Sequence, residues 1–265
     1  MRVTIIGGGN MGSSLVTGLL TGTFFKEEDI TVVDVQKSVL EQLKKKVPGV
    51  KTVVSNYDSV TDADMVIMAV KPWMIQDVIL DIKFKLDYEK QLLISVAAGV
   101  TIEEMNKSLV KPVESRSLPV LFRVIPNTAI KIAESMTLIS SNNASSEQEQ
   151  LVLNIFDELG KAILIDEERM KDGTALTSCG IAYLFRYIRA AMEAGIEMGF
   201  YPKDAQTLVV HTMKGAAELL LRSESHPEAE IDLVTTPGGL TIKGLNELEA
   251  NGFSNAVIKG IKAGR

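Results

Sequence analysis

Val3-Thr4-Ile5-Ile6-Gly7-Gly8-Gly9-Asn10-Met11-Gly12 stands almost at the start of the chain and decides how its first half folds. Four consecutive β-branched residues suit a buried strand. The glycines that follow fit the spacing GxGxxG, and the next stretch carries Leu15, Leu19 and Leu20 at helical period. Strand, glycine turn and helix in direct succession form a dinucleotide-binding unit. Gly7 permits the tight turn, Gly9 lets the backbone come close to a pyrophosphate, and Gly12 lets the helix pack closely on the strand. The free N–H groups of the helix N-terminus, around Asn10 and Met11, then face the phosphates. The glycine spacing alone is often only a turn; its place between a strand and a helix makes it specific.

Working outward, the next β-branched run, residues 30–33, ends at Asp34. A carboxylate there can accept hydrogen bonds from both hydroxyls of an adenosine ribose and would repel a 2′-phosphate, which favours NADH over NADPH. No arginine lies nearby, although Lys37 offsets part of the charge, and a solvated turn aspartate is the plainer reading of Asp34. A third run at 52–54 is followed by Asn56, which is placed with the cofactor-binding residues. The fourth, 65–70, leads through Ala69 and Val70 into Lys71-Pro72, and the fifth, 92–96, into Ala97-Ala98-Gly99. In open parallel sheets ligands bind beside the carboxyl ends of the strands, which puts Ala69, Val70, Lys71, Pro72 and Ala97 at the cofactor. A surface lysine, a strand-stopping proline and close packing of small residues are the structural alternatives.

Weaker strand signals at 122–125, 136–139 and 162–165 extend the sheet to eight strands. Before the last of them, Ser146 and Glu149 read as a capping box opening a helix with Val152, Ile155, Phe156 and Leu159 on one face. Past about residue 166 the strand signals stop, and helices are expected at 174–198, 203–221, 241–250 and 254–263. The expected architecture is therefore α/β, with a Rossmann-type dinucleotide-binding domain over 1–165 followed by an all-helical domain over 166–265. A helical domain that small has difficulty burying all its apolar faces alone, so pairing with a second subunit is expected.

Composition is that of an ordinary soluble protein: 265 residues, 46% hydrophobic and 23% charged. The net charge of −6 disfavours nucleic acid as a partner, and the lysine cluster Lys44-Lys45-Lys46 suits the C-terminal end of a helix. A single cysteine, Cys179, rules out an intramolecular disulfide and a multi-cysteine metal site, which fits a reducing, cytoplasmic location. The first apolar run is too short for a secretory signal, and no later stretch reads as a membrane span. Two histidines, His211 and His226, form no recognisable metal or triad pattern, so no metal is expected.

Beyond the fingerprint, Gly9-Asn10-Met11-Gly12, Ala69-Val70-Lys71-Pro72, Ala97-Ala98-Gly99-Val100-Thr101, Pro126-Asn127-Thr128 and His226-Pro227 follow one another in an order that resembles the pyrroline-5-carboxylate reductases. The most specific segment is Thr236-Pro237-Gly238-Gly239-Leu240-Thr241, with Leu248-Glu249 and Gly252-Phe253 after it. The resemblance spans nearly the whole chain. It implies hydride transfer from NAD(P)H to a cyclic imine, giving proline as the last step of its biosynthesis. It also implies helical domains interlocked between two subunits, an active site between domains near that interface, and dimers that can assemble into larger rings.

The residues of the last motif support the same role. Gly238 and Gly239 make a tight loop, and the helix start offers free N–H groups to a small carboxylate, with Thr236, Gly238, Gly239 and Thr241 as substrate-binding residues. The resemblance makes Thr241 the catalytic residue, its hydroxyl reaching the imine nitrogen; from spacing alone, Thr236 or Thr241 serves equally as a helix cap. The cofactor carries the hydride chemistry, leaving the protein to align carbon centres, exclude water and hold the nitrogen.

Two positions depart from the family's usual Gly-Ser-Gly-Pro-Ala-Tyr, which here reads Ser178-Cys179-Gly180-Ile181-Ala182-Tyr183. Ile181 lacks the fixed entry geometry of proline, and the thiol of Cys179 is a weaker donor than a serine hydroxyl. Asp34 is a third departure, since many members accept NADPH with hydroxyl or basic side chains near it. Rival readings are a β-hydroxyacid dehydrogenase, which needs a lysine that residues 178–189 lack, and a non-catalytic sensor of nicotinamide cofactors.

Overall fold

The computed structural model describes residues 1–111 and 118–265. They divide into two compact units, Met1–Ser178 and Cys179–Arg265.

The first unit is built on an eight-stranded sheet of β1 (Val3–Ile6), β2 (Ile30–Asp34), β3 (Lys51–Val54), β4 (Met65–Met68), β5 (Leu92–Ser95), β6 (Val120–Ile125), β7 (Ser135–Asn142) and β8 (Gly160–Leu164). Their spatial order is β3-β2-β1-β4-β5-β6-β7-β8. Strands β1 to β6 are parallel, β7 runs antiparallel to β6, and β8 is parallel to β7. The chain therefore leaves β1 in one direction toward β2 and β3, then returns to place β4 on the other side of β1. Such a reversal opens a crevice at the carboxyl ends of the two strands, where open α/β sheets take their ligands.

Helices α1 (Asn10–Leu19), α2 (Lys37–Lys46) and α5 (Ser146–Asp157) share one apolar core, and α3 (Ile75–Ile82) and α4 (Ile102–Leu109) share another. β4 divides itself between them: Met65 and Ile67 enter the first core, Val66 and Met68 the second. Alternating side chains of one strand thus meet apolar surface on both faces, which is why its sequence is continuously hydrophobic. Each fully buried Ile or Leu of this kind contributes about 2 kcal/mol.

Three local expectations are corrected. The box at the start of α5 uses Ser145 and Gln148, with Ser145 N donating to Gln148 Oε1 at 2.9 Å and Gln148 N to Ser145 Oγ at 3.3 Å. Ser146 and Glu149 have the same spacing, but Glu149 is engaged by the Ser141 hydroxyl of β7 at 2.5 Å. The fourth strand ends at Met68, and residues 69–70 turn out toward the crevice. The single helix expected over 174–198 is two, α6 (Met170–Thr177) and α7 (Gly180–Glu197). α6 stays with the sheet, since Met170 packs with Ile125 and Leu138, and the first compact unit runs to Ser178.

The second unit holds α7, α8 (Pro202–Ser223), α9 (Pro227–Leu233), α10 (Leu240–Ala250) and α11 (Phe253–Ala263). α9, at seven residues, carries too little periodicity to be marked in the sequence. Only Gly195 of α7 and Ala205 of α8 are buried among the residues of this unit. A Cβ on Gly195 would lie 3.1 Å from that of Ala205, so these two helices meet at their smallest residues. Large apolar side chains such as Phe185, Leu208, Leu221 and Leu233 remain exposed. Among the described residues no helix is long and apolar enough to cross a membrane.

Candidate active site

The crevice at the carboxyl ends of β1 and β4 is a cleft of about 600 Å³. Gly7, Gly9, Asn10 and Met11 line it from the β1–α1 turn, Asp34 and Gln36 from beyond β2, Tyr57 from beyond β3, Ala69 to Pro72 from beyond β4, and Ala97 and Ala98 from beyond β5. Five loops remote in sequence thus converge because parallel strands all deliver their carboxyl ends to one edge.

The three glycines of the fingerprint are required for different reasons. Gly7 has φ +103°, and a Cβ there would stand 2.6 Å from the Ala69 carbonyl oxygen. A Cβ on Gly12 would stand 1.9 Å from the Gly7 carbonyl oxygen, so the first turn of α1 can approach β1 only without a side chain. Gly12 accordingly lies behind the cleft rather than in its lining. A Cβ on Gly9 would meet nothing within 4 Å. Gly9 is the N-cap of α1 and offers no side-chain acceptor, leaving the first-turn N–H groups available to an anion. Open space at Gly9 beside an uncapped helix start fits a dinucleotide pyrophosphate.

Asp34 is held by the backbone around it. Oδ2 accepts the Gly8 N–H at 2.7 Å and Oδ1 accepts the Gln36 N–H at 2.8 Å. Lys71 is the one cationic side chain of the lining; Lys37 lies outside it and pairs with Glu41 at 3.6 Å. The phenol of Tyr57 is held above its ordinary pKa, first by burial and then by the carboxylates of Asp81 and Asp34. This end of the cleft is therefore negative. Asn56 does not join it: its Oδ1 accepts the Asp58 N–H at 2.7 Å and its Nδ2 donates to Asp58 Oδ2 at 3.0 Å, closing a turn. Tyr57, the residue after it, faces the cleft instead, and no sequence pattern singled it out.

In the second unit, Gly239 is the N-cap of α10 and Gly238 has φ +71°. The Gly239 N–H donates to the Thr236 carbonyl at 2.9 Å, which closes the loop. Neither threonine caps the helix, so the capping alternative falls. Helical threonines elsewhere, such as Thr174 and Thr207, donate to the carbonyl four residues back. Thr241, the second residue of α10, is exposed, and its hydroxyl makes no such bond among the described residues. His226 is the N-cap of α9, Nδ1 accepting the Glu228 N–H at 3.2 Å. Cys179 is half-buried and precedes the first residue of α7 without capping it.

A family model described as pyrroline-5-carboxylate reductase dimerisation matches residues 167–265, and one described as NADP oxidoreductase, coenzyme F420-dependent, matches residues 2–99. Pyrroline-5-carboxylate reductase 1 of Dictyostelium discoideum is 40% identical over 98% of this chain, which spans 48% of that longer protein. Pyrroline-5-carboxylate reductase 2 of the same organism is 37% identical, over 98% of this chain and 89% of its own length. The chain belongs to the pyrroline-5-carboxylate reductase family. Among solved structures, the Plasmodium falciparum pyrroline carboxylate reductase with NADP bound superposes on this family member with a TM-score of 0.87, at 28% identity and covering 100% and 95% of the two chains. Family membership accounts for the order of the units, a nicotinamide-cofactor domain before a self-associating helical one.

Proposed function

We propose that this chain reduces pyrroline-5-carboxylate to L-proline with a nicotinamide cofactor, NADH in preference to NADPH. The observation that carries the reading is likeness over nearly the full chain to proteins named for that activity. The bound cofactor would supply a hydride to C5 of the imine, and the ring nitrogen ends with a proton.

The chain's own groups do the holding. Gly7 to Met11 take the pyrophosphate, with Gly9 leaving room and the α1 N–H groups donating. Asp34 keeps lone pairs free for the ribose hydroxyls after binding Gly8 and Gln36, and its charge opposes a 2′-phosphate. The small side chains of Ala97 and Ala98 let a flat ring lie against the backbone. Gly238, Gly239 and the start of α10 receive the substrate carboxylate beside Thr236. The Thr241 hydroxyl bonds the ring nitrogen and steadies the charge there as hydride arrives. Lys71 adds a positive charge at the phosphate end.

Self-association through the second unit belongs to the reading, as a dimer able to join into larger rings, in a reducing cytoplasmic setting. Its exposed apolar residues support pairing. The test mixes purified protein with pyrroline-5-carboxylate and follows NADH and NADPH consumption separately. Proline formation, faster at low NADH than at low NADPH, is expected; inertness with both cofactors would end the assignment.

A further inference from the structure

The segment from Val96 to Thr101 joins β5 to α4 and presents Ala97 and Ala98 to the cleft. Ala98 and Gly99 in its middle are exposed: Gly99 has φ +82°, and a Cβ there would touch nothing within 4 Å. Ala97 is buried in the second core together with Val100 and Ile102, so the place of the two alanines depends on that shared packing and on the ends of the segment. One end continues a central strand. The other is the first turn of α4, where Thr101 and Glu104 form a capping box.

A third group from far along the chain also holds that turn. Glu167 Oε1 accepts the backbone N–H of Ile102, the first residue of α4, at 2.6 Å. The same oxygen accepts from Arg123 of β6 at 3.2 Å. The Arg123 side chain is 8% exposed and that of Glu167 29%, and the Arg123 Nε is buried without a partner. Arg123 is thus held in place by β6, with Glu167 as its paired carboxylate and Glu104 as a second carboxylate near enough to feel its charge, and it aims Glu167 at Ile102. Glu167 opens the short 3-10 turn leading into α6, so the segment before α6 is tied to the first turn of α4.

We propose that Glu167 is a positioning residue: through Ile102, and aimed by Arg123, it sets the height of the Ala97–Ala98 backbone on which the nicotinamide ring rests. The proposal rests on the reading that this segment seats the nicotinamide.

Two substitutions separate reach from charge. Glu167→Asp keeps the charge for Arg123 but is one methylene too short to hold Ile102 as well. Glu167→Gln loses the charge and keeps an oxygen at the right reach. Dissociation constants for NADH and for ADP-ribose, which lacks the nicotinamide, are measured on both variants and the unaltered protein, with kcat and melting temperature. The unaltered protein binds NADH more tightly than ADP-ribose; Glu167→Asp loses that increment and about 10-fold in kcat, while Glu167→Gln keeps both within about threefold. ADP-ribose affinity stays level in all three. Loss in Glu167→Gln with retention in Glu167→Asp makes the role one of charge balance and overturns the proposal, as does a parallel fall in ADP-ribose affinity. If the unaltered protein itself does not distinguish NADH from ADP-ribose, the placement of the nicotinamide on this segment fails first.

Discussion

The carboxylate of Asp34 accepts the backbone N–H of Gly8 at 2.7 Å, so the residue proposed to select the cofactor also shapes the glycine turn beside it. Both roles follow from one position at the end of β2, beside the glycine turn after β1. Asp34→Ala removes both. KM is expected to rise for either cofactor, with NADH suffering about 10-fold more because hydrogen bonds to a charged acceptor are among the stronger ones. Steady-state kinetics with each cofactor decides it, and an unchanged NADH-to-NADPH ratio would leave Asp34 with the loop alone.

Gly9 and Gly12 separate binding from folding. Gly9→Ala places a methyl group in open space, so the melting temperature should stay within about 2 °C while dinucleotide affinity falls. Gly12→Ala drives a methyl group into the Gly7 carbonyl and should cost about 2 kcal/mol of stability as α1 is pushed off β1. Thermal melts and cofactor titration on the pair test this, and equal melting temperatures would refute the steric argument.

Because the Thr241 hydroxyl caps nothing and bonds no carbonyl among the described residues, its loss should leave the fold alone. Thr241→Ala is expected to lower kcat by about 10- to 100-fold with cofactor affinity and melting temperature unchanged, and Thr241→Ser to recover much of the rate. Near-normal turnover in the alanine variant would take Thr241 out of the mechanism.

A unit whose only buried residues are Gly195 and Ala205 cannot hold its apolar helices by itself. Melting temperature should therefore rise with protein concentration. Leu208, half exposed in a groove between α7 and α8 beside Tyr187, is a suitable probe: Leu208→Glu should halve the mass seen in sedimentation and abolish activity. A folded, active monomer at low concentration would contradict the proposed dimer.

Much of the site could be read from residues close in sequence. The glycine fingerprint, Asp34 after the second strand and the small residues after the fifth are each a local pattern, and parallel strands oblige them to meet at one edge. Tyr57 has no distinguishing spacing as a tyrosine after a strand, and Asn56 beside it turns to Asp58 because adjacent residues of a turn point in different directions. Glu167 and Arg123 escaped for another reason: Glu167 meets Ile102 at a separation of 65 positions and Arg123 at one of 44, and nothing local marks either encounter.

The linear order of amino acids settled the dinucleotide fold, the succession of sheet and helical units and the family, since each rests on periodicity, glycine geometry or motif order within short stretches. Three-dimensional packing settled the rest. It chose Ser145 over Ser146 as the cap of α5, because Glu149 had a partner on β7. It kept α6 with the sheet, left Gly9 open while crowding Gly7 and Gly12, and denied Thr236 and Thr241 a capping role. In every such case the outcome depends on which distant atoms come within a few ångströms of one another, and that distance is a property of the folded chain.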